Sequence, residues 1–341
     1  MKLLSVAVPC YNSQDYMKHC ISTLLTGGDD VEILVIDDGS SDNTLAIAQR
    51  YVMQYPDIVR AIHQENKGHG GALNTGIQYA TGQYLKVVDS DDWVNVDAYL
   101  QVLQELRRVV KEQQPLDMLV TNFVYEKQGA KRKKVVNYHR FMDDKYMFLW
   151  SGMKPLPITN YLMMHSIIYR TEVVRMSGLE LPENTFYVDN LYAFVPLPYV
   201  ETIRYMDVNL YRYFIGRCGQ SVQESVMCRR FEQQYYVNVQ MIDYMEKVLG
   251  KIKESALRKT MITSLKLVMA ITSIVALLSG TEERRKDKRA IWQYLKDADK
   301  KLYRRVRYSF LGIGVNLPGR WGRKAAIGCT VLTKETHRET E

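Results

Sequence analysis

Three aspartates fall within four positions, Asp89, Asp91 and Asp92, with Ser90 between them, directly after an apolar run that ends at Val88. Carboxylates this close repel one another, and each resists ionisation unless a cation compensates. A hard divalent ion, Mn or Mg, is the natural occupant, held by one or two carboxylates and by the oxygens of a diphosphate. No histidine or cysteine stands beside them in the sequence to suggest zinc. A second chemistry-free account is open at this point: Ser90, Asp91 and Asp92 could cap a helix starting near Val94, because acidic groups favour a helix N-terminus.

Two further polar clusters follow apolar runs in the same manner. Tyr11-Asn12 comes after "SVAVPC", and Asp37-Asp38-Gly39 after "VEILVI". Neither G-x-x-x-x-G-K-[ST] nor G-x-G-x-x-G occurs after a strand signal. "KGHGGALNTG", residues 67–76, comes nearest to a phosphate loop, with glycines ahead of a helix where backbone N–H groups could approach an anion.

The elements that must position these clusters alternate regularly over the first 126 residues. "LLSVAV", "VEILVID", "VRAIHQ", "TGQYLKVVD" and "DMLVTNFVYE" read as buried strands. Between them lie helical patterns: "YMKHCISTLL", a segment after "GSSDNT" capped by Ser41 or Asp42, "ALNTGIQYA", and a stripe of Val96, Leu100, Leu103, Leu106 and Val110. Such alternation implies a mainly parallel α/β sheet whose crossover helices cover its faces. Ligands collect beyond the carboxyl ends of strands in such sheets, which puts all three polar clusters on one rim.

Composition sets the remaining bounds. At 341 residues, 46% hydrophobic and 25% charged, the chain can bury a large core. Its five cysteines are scattered without a C-x-x-C pair, which argues against a disulfide framework or structural zinc and for a reducing, cytoplasmic setting. The apolar run after Met1 and Lys2 stops at Pro9, too short for a signal-peptide core. Residues 281–341 hold 16 Lys and Arg against 8 Asp and Glu, whereas residues 1–280 hold 30 of each. That basic segment carries Trp292, Tyr294, Tyr303, Tyr308, Phe310 and Trp321, a composition suited to an anionic membrane surface and equally to a solvated helix. "LVMAITSIVALLSG", residues 267–280, is uncharged but shorter than the 20 or so residues of a span, so it reads as a buried or interfacial helix.

In order and spacing, "SVAVPCYNSQDYMKHCISTLL", "EILVIDDGSSDNT" and "HQENKGHGGALNTGIQYATGQYLKVVDSDDWV" resemble the N-terminal half of family 2 glycosyltransferases, over about residues 3–115. The resemblance implies a GT-A fold, a nucleotide-sugar donor, commonly a UDP-sugar, and inversion at the anomeric carbon. It implies that Pro9, Tyr11 and Asn12 border the donor pocket and that Asp38 holds the uracil or ribose edge. Asp89 and Asp91 form the Asp-x-Asp signature, with the metal expected on Asp91 and Asp92. Asn74 is retained from the family's Arg-Asn pair, while Leu73 stands at the arginine position.

In "LPENTFYVDNLYAF" the resemblance implies that Asp189 takes the acceptor hydroxyl's proton, with Val188 where the family usually has Glu. Alternatively, Asp189 caps the helix that follows it. Arg212, Arg217, Gln220 and Ser221 could meet phosphate in a loop closing over the donor. His165 reads as packed, and residues 127–140 as a hairpin with a basic tip. The expected organisation is a catalytic domain over 1–225, with a donor half to 115 and an acceptor half from 116, followed by a helical, basic region over 226–341. The expected activity is sugar transfer to a glycan or lipid-linked acceptor at the inner membrane face, with no nucleic acid as partner. A nucleotidyltransferase and a binding or assembly protein that has lost catalysis are the rival readings.

Overall fold

The structure, a computed structural model, describes residues 2–127, 129, 133–216, 223–319, 322, 324 and 326. Arg217, Gln220, Ser221 and Trp321, as well as the basic tip at residues 130–132, lie outside the described residues. The described residues fall into two compact units. One lies within 1–128, 133–154 and 162–215, the other within 129–132, 155–161 and 216–341. The sequence boundary between 225 and 226 thus sits inside the second of these.

The first unit is built on the alternation seen in the sequence. In chain order it contains β1 (Leu4–Cys10), α1 (Met17–Leu24), β2 (Val31–Asp38), α2 (Thr44–Gln54), β3 (Val59–Gln64), α3 (Gly68–Tyr79), β4 (Tyr84–Val87), β5 (Trp93–Val94) and α4 (Val96–Lys111). There follow β6 (Met118–Lys127), β7 (Lys134–Val136), β8 (Met147–Leu149), β9 (Ile167–Arg170), α5 (Thr171–Met176), α6 (Asp189–Phe194) and β10 (Thr202–Ile215). The sheet order is β3-β2-β1-β4-β9-β6-β10-β5, with β7 on β6 and β8 on β10. β3, β2, β1 and β4 run parallel, as do β6 and β10, while β9 lies antiparallel between β4 and β6. Every residue of β1 and β2 is buried, as expected of central parallel strands covered on both faces.

Two helix starts differ from the sequence expectation. Asn95 caps α4, its side chain accepting from the Ala98 N–H, so the acidic run at 89–92 is not the cap. The buried face of α4 is Tyr99, Val102, Leu103, Leu106 and Val109, one register round from the expected stripe, and Leu100 is exposed. The N-cap position of α2 is Asn43, whose side chain makes no cap, rather than Ser41 or Asp42; Asp42 just before it accepts from the Thr44 N–H and from the Gln14 N–H in the first loop.

The second unit is helical: α7 (Glu224–Arg229), α8 (Phe231–Val248), α9 (Ser255–Leu278), α10 (Glu282–Ala298), α11 (Lys300–Arg307) and α12 (Phe310–Gly314). α9 is its axis and touches each of the other five. By length and composition α9 could cross a membrane, yet 67% of its most apolar window is buried within the fold. Two of its buried hydroxyls bond to neighbouring helices. Thr272 accepts from Asn238 on α8, and Ser273 accepts from the Trp292 indole on α10. In the basic segment Ile291, Leu295, Leu302 and Val306 form the buried stripe.

Candidate active site

The carboxyl ends of β1, β2 and β4 meet at one rim, and local hydrogen bonds fix each loop there. Asn12 adopts φ +48°, a conformation asparagine tolerates, and its carbonyl accepts from the Ser41 N–H and hydroxyl. Its side-chain oxygen thus ties the first loop to the second. Pro9 is buried in β1 opposite Ile36, whereas Tyr11 is 55% exposed. Asp38 is buried, and its Oδ1 accepts from the Gln64 amide at 2.7 Å and the Lys67 N–H at 2.9 Å.

The acidic loop after β4 is held from three sides. Ser90 shares a hydrogen bond with Ser13, the Asp92 N–H closes a turn onto the Asp89 carbonyl, and the Asp89 N–H donates to the Tyr211 hydroxyl. Asp92 is 1% exposed; Tyr211 Oη donates to one of its oxygens at 2.6 Å and the Phe214 N–H to the other at 2.7 Å. Burial, with Asp91 and Asp89 adding to it, pushes its pKa well up despite those two donors.

The glycines of "KGHGG" serve close packing rather than a phosphate cradle. They lie within the first turn of α3, which begins earlier than "ALNTGIQYA" suggests. Gly68 has φ +70°, and a Cβ there would lie 2.8 Å from Asn184; a Cβ on Gly70 would lie 2.2 Å from the Pro182 carbonyl oxygen. The Asn184 N–H donates to the Lys67 carbonyl at 2.6 Å. Asn74 completes the seam, because its amide both donates to the Leu181 carbonyl and accepts from the Leu181 N–H. Asn74, expected at the donor, thus makes its side-chain bonds to residue 181.

That seam brings Asp189 to the rim. Asp189 is the first residue of α6, which shows no side-chain cap, and Tyr187 just before it is held at φ +68°. The neighbour that joins the clusters is His69, whose only sequence signal is its place between glycines at a rim. Its Nε2 lies 3.8 Å from Asp89 Oδ1. Burial lowers its pKa, while Asp189, Asp91 and Asp38 pull the other way. Burial raises the pKa of Asp189, against the pull of His69, and Asp89 raises it further. Carboxylates at the end of β2, in the loop after β4 and at the start of α6 thus all act on the charge of one imidazole.

A second histidine lies deeper. His165 is buried, on the turn before β9, among Tyr213, Tyr211 and Phe123 at 4.4, 4.7 and 5.7 Å between ring centres. Burial, then Lys86 and His69, hold its pKa down at about 3, so it is neutral. Lys86, in β4, is buried too; its ammonium donates to the carbonyls of Met164, His165 and Ile167 and lies 4.9 Å from the Tyr211 ring centre. Burial brings its pKa down to about 7, with Asp89 and Asp92 opposing.

Oxygens of Asp89 and Asp92 and a nitrogen of His165 all lie within 4.8 Å of one another. Asp91, expected to pair with Asp92 on the metal, is outside that group. The arrangement fits a divalent ion: two mutually repelling carboxylates and a neutral imidazole supply three donors in a small space. Arg212 does not extend to this corner as a free phosphate ligand, since it pairs with Glu126 at 3.0 Å.

Comparison with known proteins adds three findings. Residues 5–165 match the family model for glycosyl transferase family 2. The glycosyltransferase GlyG of Streptococcus pneumoniae is 36% identical over 124 residues, 36% of this chain and 39% of that protein. The uncharacterized glycosyltransferase EpsJ of Bacillus subtilis is 30% identical over 221 residues, 62% of this chain and 60% of its own length. The chain thus matches less than two thirds of either relative.

Among solved structures, S. aureus TarS 1–349 superposes with a TM-score of 0.65 at 18% identity, covering 100% of this chain and 92% of that one. Its complex with UDP-GlcNAc gives 0.53 at 20%, covering 91% of each. A mannosyltransferase from Pyrobaculum calidifontis, in complex with GDP-Man and Mn2+, gives 0.52 at 14%, covering 88% and 86%. At such identities the likeness is one of fold, the GT-A arrangement.

Proposed function

Because residues 5–165 belong to glycosyl transferase family 2, we propose that the chain transfers a sugar from a UDP-sugar to a hydroxyl of a glycan or lipid-linked acceptor, with inversion. The observation that carries this reading is the acidic corner itself, where oxygens of Asp89 and Asp92 lie within 4.8 Å of each other and of a His165 nitrogen, with His69 Nε2 3.8 Å from Asp89. A diphosphate would sit over the acidic corner, with the base near Tyr11 and Asp38. TarS, of like fold, is known with UDP-GlcNAc, which favours uridine over other bases.

Asp189 acts as general base. It draws the proton from the acceptor hydroxyl as that oxygen bonds to the anomeric carbon, while the bond to the diphosphate breaks on the opposite face and UDP leaves with the electron pair. A pKa raised above the ordinary carboxylate range suits a base that must take a proton near neutrality. A divalent ion bound at the corner supplies charge stabilisation to the departing diphosphate. His69, next to both Asp89 and the field of Asp189, orients the two carboxylates.

The chain is proposed to work at an anionic, cytoplasmic membrane surface. Tyr308, Phe310, Ile313 and Leu317 are 67%, 88%, 46% and 42% exposed, beside exposed Arg304 and Arg305, a pairing of apolar and cationic groups that suits a headgroup layer. The whole reading is tested by thermal denaturation with UDP-, GDP- and other nucleotide sugars, with and without Mn2+. A ligand held at 100 times its Kd should stabilise by about 2.7 kcal/mol. UDP-sugars with Mn2+ should give the largest rise in Tm, and no rise with any nucleotide sugar would overturn the proposal.

A further inference from the structure

The acidic corner holds one side chain that the proposed chemistry leaves unused. His165 is 3% exposed, and neither ring nitrogen has a hydrogen-bond partner among the described residues. Leaving an imidazole so buried and unpaired is costly, which calls for a function that the paired groups around it do not supply. Its ring is confined by Tyr211, Tyr213 and Phe123, and its backbone carbonyl is held by Lys86 at 2.6 Å. One nitrogen is thereby aimed at carboxylate oxygens of Asp89 and Asp92, all within 4.8 Å.

We propose that His165 is a nitrogen ligand of the divalent ion, completing a site with Asp89 and Asp92, and that this nitrogen makes the site select Mn2+ over Mg2+. Ligands on opposite sides of an ion with bonds near 2.1 Å stand about 4.2 Å apart, so an opposed pair at the 4.8 Å limit need close by about 0.6 Å, and adjacent ligands by more. Asp92 can still ligate, because each carboxylate oxygen keeps a second lone pair beyond the one taken by Tyr211 or Phe214. Mg2+ sheds water reluctantly and takes oxygen ligands, whereas an imidazole favours transition ions. Lys86 opposes any cation by its charge, but its ammonium is turned onto three carbonyls. The inference rests on the divalent-ion reading given above.

The test is pulsed electron paramagnetic resonance of the full chain loaded with Mn2+ and UDP. Directly bound imidazole should give nitrogen-14 modulation, which His165→Phe should abolish while weakening Mn2+ binding at least tenfold. His69→Gln should keep the modulation; its loss there, with retention in His165→Phe, would assign the nitrogen to His69 and overturn the inference. Mn2+ bound without modulation would also overturn it and leave the divalent-ion reading standing, whereas no Mn2+ binding would end both. Should His165→Phe not fold, the spectra of the unaltered chain and of His69→Gln still decide. Mg2+ should displace Mn2+ only in about hundredfold excess, and displacement at equal concentration would remove the claimed selectivity.

Discussion

Glu32 and Asp92 are both buried carboxylates at the sheet, one at the amino end of β2 and one beyond the carboxyl end of β4, yet their surroundings push them in opposite directions. Glu32 is ringed by donors: the Ser5 hydroxyl, the Thr81 and Gly82 N–H groups, and the Arg60 guanidinium. Burial pushes its pKa up, but Ser5, Thr81 and Arg60 together bring it below its ordinary value. Asp92 has two donors and two acidic neighbours, so its pKa goes up. The same functional group is a brace at one end of the sheet and an unmet electrostatic demand at the other. That demand is what a cation would answer.

Substitutions can break this contrast from either end. The largest effect is expected of Asp189→Asn, which should lower transfer about 10³-fold while leaving UDP binding and unfolding free energy near those of the unaltered chain. Sugar transfer from whichever nucleotide sugar stabilises the chain, together with UDP titration, would check it, and unchanged turnover would remove the base assignment.

Glu32→Gln should do the reverse, lowering stability by about 2 kcal/mol in urea unfolding through weakened charge-assisted hydrogen bonds, without touching metal binding. Since the folded pKa of Glu32 is lowered, its contribution is fully present above 4.5 and is lost as pH falls through the folded value, so the deficit should shrink in acid. Asp92 has the opposite sign. Its raised folded pKa gives a contribution that is greatest below 3.8 and fades as pH rises through the folded value. The metal-free Asp92→Asn chain should therefore be no less stable than the unaltered one at neutral pH, its amide donating to Tyr211 and accepting from Phe214, yet should no longer bind Mn2+.

Two smaller effects sharpen the picture. The acid limb of kcat/KM should lie above the range of an ordinary aspartate, because Asp189 must lose its proton to act; a limb near 3.8 would contradict the cause given for its shift. Phe310→Ser should weaken binding to anionic vesicles about tenfold and leave folding unchanged, as a side chain already 88% exposed has little burial to lose.

The donor half was legible in the sequence because local patterns set it: short apolar runs ending in polar clusters put Tyr11, Asp38 and Asp89 to Asp92 on one rim. What escaped depends on distant pairing. Nothing near Asn74 announces Leu181 as its partner, and the glycines around His69 resemble an anion loop until Pro182 and Asn184 are seen against them. The insertion of β9 antiparallel between β4 and β6, which brings the His165 turn beside the acidic loop, has no local signature. The cap at Asn95 was readable in principle, since asparagine is a favoured N-cap, but the stronger acidic run upstream competed for the role.

The central place of α9 bears on how the chain is made. α9 is synthesised before α10, α11 and α12, the helices that cover part of it. At ribosomal speeds the 36 residues from Leu278 to Gly314 take on the order of seconds to appear. For that interval a 24-residue helix with an uncharged C-terminal half stands partly uncovered on the nascent chain, a ready client for holding chaperones or the insertion machinery.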